Sequence, residues 1–391
     1  MLHCQRHLFD IPRDVCYLNA AAWSPLPLAS RDAGQSGVLR KVHPWEMRPD
    51  DPARQIERAR AAAARLIDAD PQDVAVISSV SYGVATAGRV LPLPPGSRVL
   101  VLQDDHTSPV LEWMERTRNA GAELEIVRRA EDGDWTQAVL DAISRPGAAP
   151  LALASVSSVH WSDGRLIDLD RIVPALRAAG APIVVDATHA AGVMPLNVKA
   201  LDPDFLVFPT YKWVLGPYGR AFLYVARRWQ QGTPVEQTGY GRRGVNSERS
   251  PYISDPAYIE SAERFDMGER DHFITLEMAA IGMEMMAAWG SSAITERLLM
   301  LTRLLADGLR DAGVGIPSEH VRAPNILSLE FPDGMPPGLA PRLAAQKVYA
   351  SPRLGRLRIS PHVYNDEQDI KRFIETFREA YTVGSHAPAT A

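Results

Sequence analysis

Seven short runs between residues 74 and 225 are apolar almost without interruption, and this train constrains the fold more than any other feature of the chain. They are Val74–Ile77, Arg98–Leu102, Leu124–Val127, Leu151–Ala154, Ile183–Val185, Phe205–Phe208 and Ala221–Val225. A strand with one wet face alternates apolar and polar residues, so a continuous apolar run implies cover on both faces. Helical stretches at 107–120, 134–143 and 168–179 separate several of the runs. Strand–helix alternation of this kind predicts an α/β fold, with a mainly parallel seven-stranded sheet flanked by helices. An alanine-rich helix with an acidic, proline-bearing start is predicted over 51–69.

The pattern breaks at about 230–270, a stretch rich in Gly, Arg, Ser and Pro that reads as a long irregular segment near a site. Two helices follow, at 274–289 and 292–312. From about 320 to 382, short strands (Ile326–Leu329, Leu357–Ile359) mix with helices, which predicts a smaller α+β C-terminal domain. Residues 383–391 read as a frayed tail.

The charge balance narrows the function classes. A net charge of −5 gives no basic field for nucleic acid or an anionic membrane. No apolar run is long enough to span a bilayer, and the start, Met1 to His7, lacks the apolar core of a secretion signal. Two cysteines, Cys4 and Cys16, cannot build a disulfide framework or a zinc site by themselves. The expectation is a cytoplasmic enzyme with no metal, acting on a small molecule.

Lys212 points to the chemistry. It is one of five lysines and sits in Pro209-Thr210-Tyr211-Lys212-Trp213-Val214-Leu215, inside an apolar stretch where an unpaired ammonium is costly. Twenty-six residues earlier, the run Ile183–Val185 ends in Asp186. A lysine and a strand-end carboxylate are what pyridoxal 5'-phosphate requires, the amine for a Schiff base and the acid to keep the pyridine nitrogen protonated. Ser78-Ser79-Val80-Ser81-Tyr82-Gly83, between a strand and a helix, offers hydroxyls and N–H groups for a phosphate, although serine-rich helix starts are common without a ligand. His106 follows a strand at the end where open α/β sheets place ligands. His189 is placed to reach the cofactor's phenolic oxygen, and Arg358, on a short strand, is a candidate clamp for a substrate carboxylate.

Taken in order, these segments resemble the class V aminotransferase family of fold-type I pyridoxal phosphate enzymes, over roughly residues 15–380. That family includes aminotransferases, cysteine desulfurases, kynureninases, racemase-like enzymes and C–S lyases. The resemblance implies an N-terminal segment over 1–22 lining the site, a large cofactor-binding domain over 23–255 and a small domain over 256–382. It implies phosphate contacts from Ser81 and the neighbouring Tyr82, and from Thr210 and Tyr211 beside Lys212. His106 falls where a ring stacks on the pyridine, and Asp186 falls at the nitrogen-binding aspartate. His189 stands where a glutamine usually meets the phenolic oxygen, and Ser158 stands where many relatives carry asparagine. Arg358 matches the substrate-carboxylate arginine, Asn19 and Ala20 match the mouth-lining segment, and Trp161 is a pocket wall. A homodimer is implied as well.

Two departures from the pattern matter. Desulfurases need a catalytic cysteine in a C-terminal-half loop, and this chain has only Cys4 and Cys16. Met267-Gly268-Glu269-Arg270 replaces a frequent Gly-Thr-Pro, which removes the usual cross-subunit threonine contact to phosphate. The resulting expectation is aminotransferase-type chemistry on a small amino acid or amine, through an external aldimine. The alternatives are a β-eliminating C–S lyase, a racemase or epimerase, and a non-catalytic protein of the same fold. A nicotinamide-dependent oxidoreductase also suits strand–helix alternation, but no Gly-x-Gly-x-x-Gly follows an early strand.

Overall fold

The computed structural model describes residues 2–245 and 256–385, without the side chains of 383–385. Its centre is a seven-stranded sheet in the order Val74–Ile77, Ala221–Val225, Phe205–Pro209, Ile183–Asp186, Leu151–Ser157, Arg98–Leu102, Glu123–Val127. Ala221–Val225 is antiparallel to both of its neighbours, and every other adjacent pair in the sheet is parallel.

Successive residues of each strand enter opposite apolar layers. Leu100, Val156, Val185 and Phe208 belong to one buried cluster, whereas Val99, Val101, Val184 and Val207 belong to the other. Helices Asp51–Leu66, Trp135–Ile143, Leu169–Ala178 and Thr275–Trp289 supply residues to the first layer, and Val80–Val90 and Thr107–Ala120 to the second. Burial on both faces is the reason that the strands are continuously apolar. Three of these helices start on side-chain caps of this kind: Ser79, Asp134 and Asp168 accept from the backbone N–H groups of Tyr82, Gln137 and Asp170.

The C-terminal part carries a three-stranded antiparallel sheet in the order Ser351–Arg353, Arg356–Ile359, Leu327–Leu329, with helices Ser291–Gly308, Leu339–Ala345 and Glu367–Ser385. The N-terminal segment is tied to it. Cys16–Tyr17 pairs in parallel with Val348–Tyr349, and Asn19 bridges Ser360. The last helix runs through residues 383–385, which the sequence reading gave to the tail, and 386–391 lie outside the described residues.

The irregular 230–270 stretch contains the short turns Gly239–Gly241 and Ala262–Phe265, while 246–255 lie outside the described residues. Its end is pinned to the sheet by Asp266, which accepts from Val76 N at 2.7 Å and pairs with buried Arg60 at 2.8 Å. A helix at Leu28–Val42 has no counterpart in the sequence reading. Among the described residues, no helix is long and apolar enough to cross a membrane.

Candidate active site

Parallel strands carry their C-terminal ends to one edge of the sheet. Ser78, His106, Ser157, Asp186 and Lys212 all follow or close such ends. The single reversed strand begins at this same edge, so the preceding Gly219 and Arg220 join them. Together these residues line a cavity of about 160 Å³. Ser79, Ser81, Trp161, Thr188, His189, Tyr211 and Tyr218 complete much of the wall.

Lys212 is held by a tight loop. Gly216 N donates to Thr210 O at 2.8 Å, and the Thr210 hydroxyl donates to Pro217 O at 2.5 Å. Leu215, fully buried, takes a left-handed backbone (φ 57°), a conformation costly for leucine that the surrounding packing enforces. Helix Thr275–Trp289 closes on the loop at Gly282, where a Cβ would lie 2.4 Å from Val214 O. Burial pushes the Lys212 amine down to about 7, with Arg358 and Arg353 adding to the effect and Asp186 opposing it. An amine in that range is nucleophilic at neutral pH.

Asp186 is buried and anchored by one oxygen. Its Oδ1 accepts from Thr188 N at 2.9 Å and from the Thr188 hydroxyl. Thr188, absent from the sequence reading, is identifiable only once the turn after the strand is seen. Buried His189 accepts at Nδ1 from Trp213 Nε1, 2.9 Å away. An indole N–H only donates, so the His189 proton sits on Nε2. Burial, reinforced by Lys212, holds this imidazole well below its ordinary pKa and therefore neutral.

Elsewhere on the cavity wall, Ser79 caps helix Val80–Val90 by accepting from Tyr82 N at 3.1 Å. The N–H groups of the first turn have no intrahelical partner. Buried Arg220 donates from Nε to Thr275 Oγ1 at 2.8 Å and from Nη1 to Met267 Sδ at 3.4 Å. It forms no ion pair among the described residues, and burial lowers its pKa. A buried guanidinium beside three serines and a helix N-terminus makes an anion site. The sequence reading lacked Arg220 because the strand reversal that brings it to this edge is a tertiary feature.

Half-buried His106 caps helix Thr107–Ala120, and its ring meets Trp161 edge-on at 5.7 Å between centroids. Burial, followed by Lys212, lowers its pKa, which keeps it neutral. Arg358 is buried and donates to Trp161 O at 2.6 Å, while its Nε has no partner among the described residues. Burial, with Arg353 adding, pushes Arg358 down to about 9. The N-terminal segment arrives through Ser24 N, which donates to Tyr211 O at 3.2 Å, and through Trp23, stacked on Tyr218 at 5.3 Å.

Several residues singled out in the sequence do not line the cavity. Ser158 donates to Asp186 O at 3.3 Å, and its neighbour Ser157 faces the cavity instead. The Thr210 hydroxyl is spent inside the lysine loop. Tyr82 contributes its backbone to the helix cap, whereas Asn19 and Ala20 pair with the Ser360 region behind the mouth. Asn19 Oδ1 is buried without a partner among the described residues. Arg358 reaches the cavity wall only by way of Trp161. Neither cysteine lines the cavity. Cys16 is buried at Asp369 O, and burial raises its thiol pKa.

The fold agrees with the comparisons to known proteins. The model of the aminotransferase class-V family matches residues 36–373. The chain is 26% identical over 373 residues to an uncharacterized aminotransferase of Bacillus subtilis, covering 92% of this chain and 91% of that one. It is 26% identical over 424 residues to the kynureninase of Salinispora tropica, covering 98% and 94%. Among solved structures, the apo cysteine desulfurase of Thermococcus onnurineus is similar with a TM-score of 0.84 at 21% identity, covering 98% of this chain and 99% of that one. The cystine C–S lyase C-DES bound to cysteine persulfide is similar with a TM-score of 0.82 at 18% identity, covering 94% and 98%. With its family model matched from the first helix into the last, the chain belongs to the aminotransferase class-V family.

Proposed function

We propose that this family member binds pyridoxal 5'-phosphate on Lys212 and reacts at the α-carbon of a small amino acid, with aminotransferase-type chemistry. One observation carries this reading. A buried amine pushed down to about 7 shares a cavity with an aspartate anchored through a single oxygen. The donor set fits the group from end to end. Lys212 suits the aldehyde, the second oxygen of Asp186 suits the ring nitrogen, and His189 Nε2–H suits the phenolic oxygen. Arg220 with the serine-rich helix start suits the phosphate.

When bound, pyridoxal phosphate supplies an electron-poor ring that takes up the electron pair of a bond broken at the substrate α-carbon. The chain's own groups do the rest. Lys212 Nζ takes and returns the α-proton. Asp186 keeps a proton on the ring nitrogen, and Thr188 fixes that carboxylate in place. His106 and Trp161, both on the cavity wall, would bound the cofactor's ring and exclude water there. Arg358, behind Trp161 and with its Nε unpartnered among the described residues, is the guanidinium assigned to the substrate carboxylate. Neither cysteine is at the cavity, so a persulfide carried on the protein has no residue to hold it.

The test is product analysis on loaded protein. Formation of a new amino acid only when a 2-oxo acid is added supports transfer. Release of ammonia and a 2-oxo acid from substrate alone supports β-elimination instead. We also propose a homodimer. Val38, Leu39, Val42 and Trp45 are more than half exposed on and just after helix Leu28–Val42, an apolar patch that a second copy would cover. Light scattering giving one chain mass would contradict it.

A further inference from the structure

The hairpin Ser351–Arg353/Arg356–Ile359 presents arginines on one face. Its register opposes Arg353 to Arg356 and Ser351 to Arg358, so these four side chains share a face, while Leu357 and Ile359 are buried in the apolar core. The three arginines on that face differ in their partners. Arg356 pairs with Glu330 at 3.2 Å. Arg353 and Arg358 form no ion pair with any carboxylate among the described residues, and carboxylates do not figure in the shifts of either.

Both free arginines converge on Trp161, a wall of the cavity. Arg358 donates to its carbonyl at 2.6 Å, and the Arg353 guanidinium lies 5.9 Å from its ring centroid. Arg353 is half-buried and spends one nitrogen on Pro352 O at 2.7 Å, and the rest of its fork has no hydrogen-bond partner among the described residues. Two like charges beside one residue repel: Arg353 adds to the burial that lowers the proton affinity of Arg358, and both guanidiniums lower that of Lys212. One substrate carboxylate neutralises one guanidinium and leaves the other uncompensated. Two oxyanions on one molecule neutralise both.

We propose that this arginine face is a two-anion recognition surface, so that the amino acid taken by the cavity carries a second oxyanion, a carboxylate or its equivalent, at the end of its side chain. Arg358 takes the α-carboxylate and Arg353 takes the side-chain anion. The proposal rests on the function proposed above, and it names the substrate class of that site.

The test uses unreactive acids, so it does not depend on turnover. Succinate, glutarate and butyrate are titrated calorimetrically into protein incubated with pyridoxal phosphate, with cofactor loading followed separately by absorbance. The tighter of the two dicarboxylates is expected to bind at least tenfold better than butyrate. Arg353→Gln should reduce that preference to within twofold, and Arg353→Lys should restore part of it. Thermal melting of each variant establishes that it is folded. Equal binding of dicarboxylates and butyrate by the wild type overturns the proposal, as does a preference that survives Arg353→Gln. Selective dicarboxylate binding by protein that takes up no cofactor would overturn the cofactor reading and leave the two-anion surface standing.

Discussion

The indole N–H of Trp213 donates to His189 Nδ1 at 2.9 Å, and this bond leaves Nε2 as the donor of the His189 ring. The residue immediately after Lys212 thus fixes the protonation pattern of a group on a different strand–helix connection. His362 Nε2 lies 3.0 Å from Trp213 O, which ties the C-terminal part to the same loop.

Trp213→Phe keeps the aromatic bulk and removes the donor. His189 is then free to place its proton on either nitrogen, and its buried Nδ1 loses its partner. Cofactor affinity should fall about tenfold, equivalent to ~1.4 kcal/mol, the scale of one buried polar atom left unsatisfied. Equilibrium titration of the cofactor-free variant with pyridoxal phosphate checks this, and a change under twofold counts against the tautomer argument.

Lys212 gives a stability prediction with a definite sign. Its amine is pushed from an ordinary 10.5 down to about 7 by burial. Between those values the unfolded chain holds a proton that the folded chain lacks, so cofactor-free wild type gains stability as pH rises through that window. Below about 7 the penalty is at its full, constant size. Lys212→Met removes it. The variant should melt several degrees above wild type at pH 6, with the gap closing as pH approaches 10. Parallel melting curves for the two proteins would contradict the burial of this amine.

Gly282 permits helix Thr275–Trp289 to touch the lysine loop. In Gly282→Ala the new Cβ would meet Val214 O at 2.4 Å and Leu215 O at 2.7 Å, both backbone atoms that cannot rotate away. Overpacking of this kind costs about 1–3 kcal/mol. The variant should melt lower and bind cofactor more weakly than wild type. Unchanged values for both would show that the loop position does not depend on this contact.

Arg220 is the phosphate counter-charge in this account. Arg220→Met should weaken binding of pyridoxal phosphate by tenfold or more and leave binding of dephosphorylated pyridoxal nearly unchanged. Parallel titrations with the two aldehydes measure the ratio, and an equal loss for both would remove Arg220 from the phosphate end.

The sheet was legible because burial on both faces leaves a mark in every strand. Lys212 and Asp186 were legible because a charge at the end of an apolar run is conspicuous. Arg220 and Thr188 were not. One reaches the site through a strand reversal, the other through a two-residue turn, and neither leaves a periodic signal. Ser158 and Thr210 stand off the cavity lining, and their hydroxyls donate to backbone carbonyls that only the folded chain brings close. Helix Leu28–Val42 escaped because its apolar residues Val38, Leu39 and Val42 are exposed rather than packed on the core.

The central claim is a covalent link to one nitrogen. Protein incubated with pyridoxal 5'-phosphate, reduced with borohydride and digested should yield a single pyridoxylated peptide carrying the group on Lys212, together with a visible absorption band before reduction that Lys212→Ala lacks. Colourless protein, or a label spread over Lys41, Lys199, Lys347 and Lys371 instead, would contradict the account.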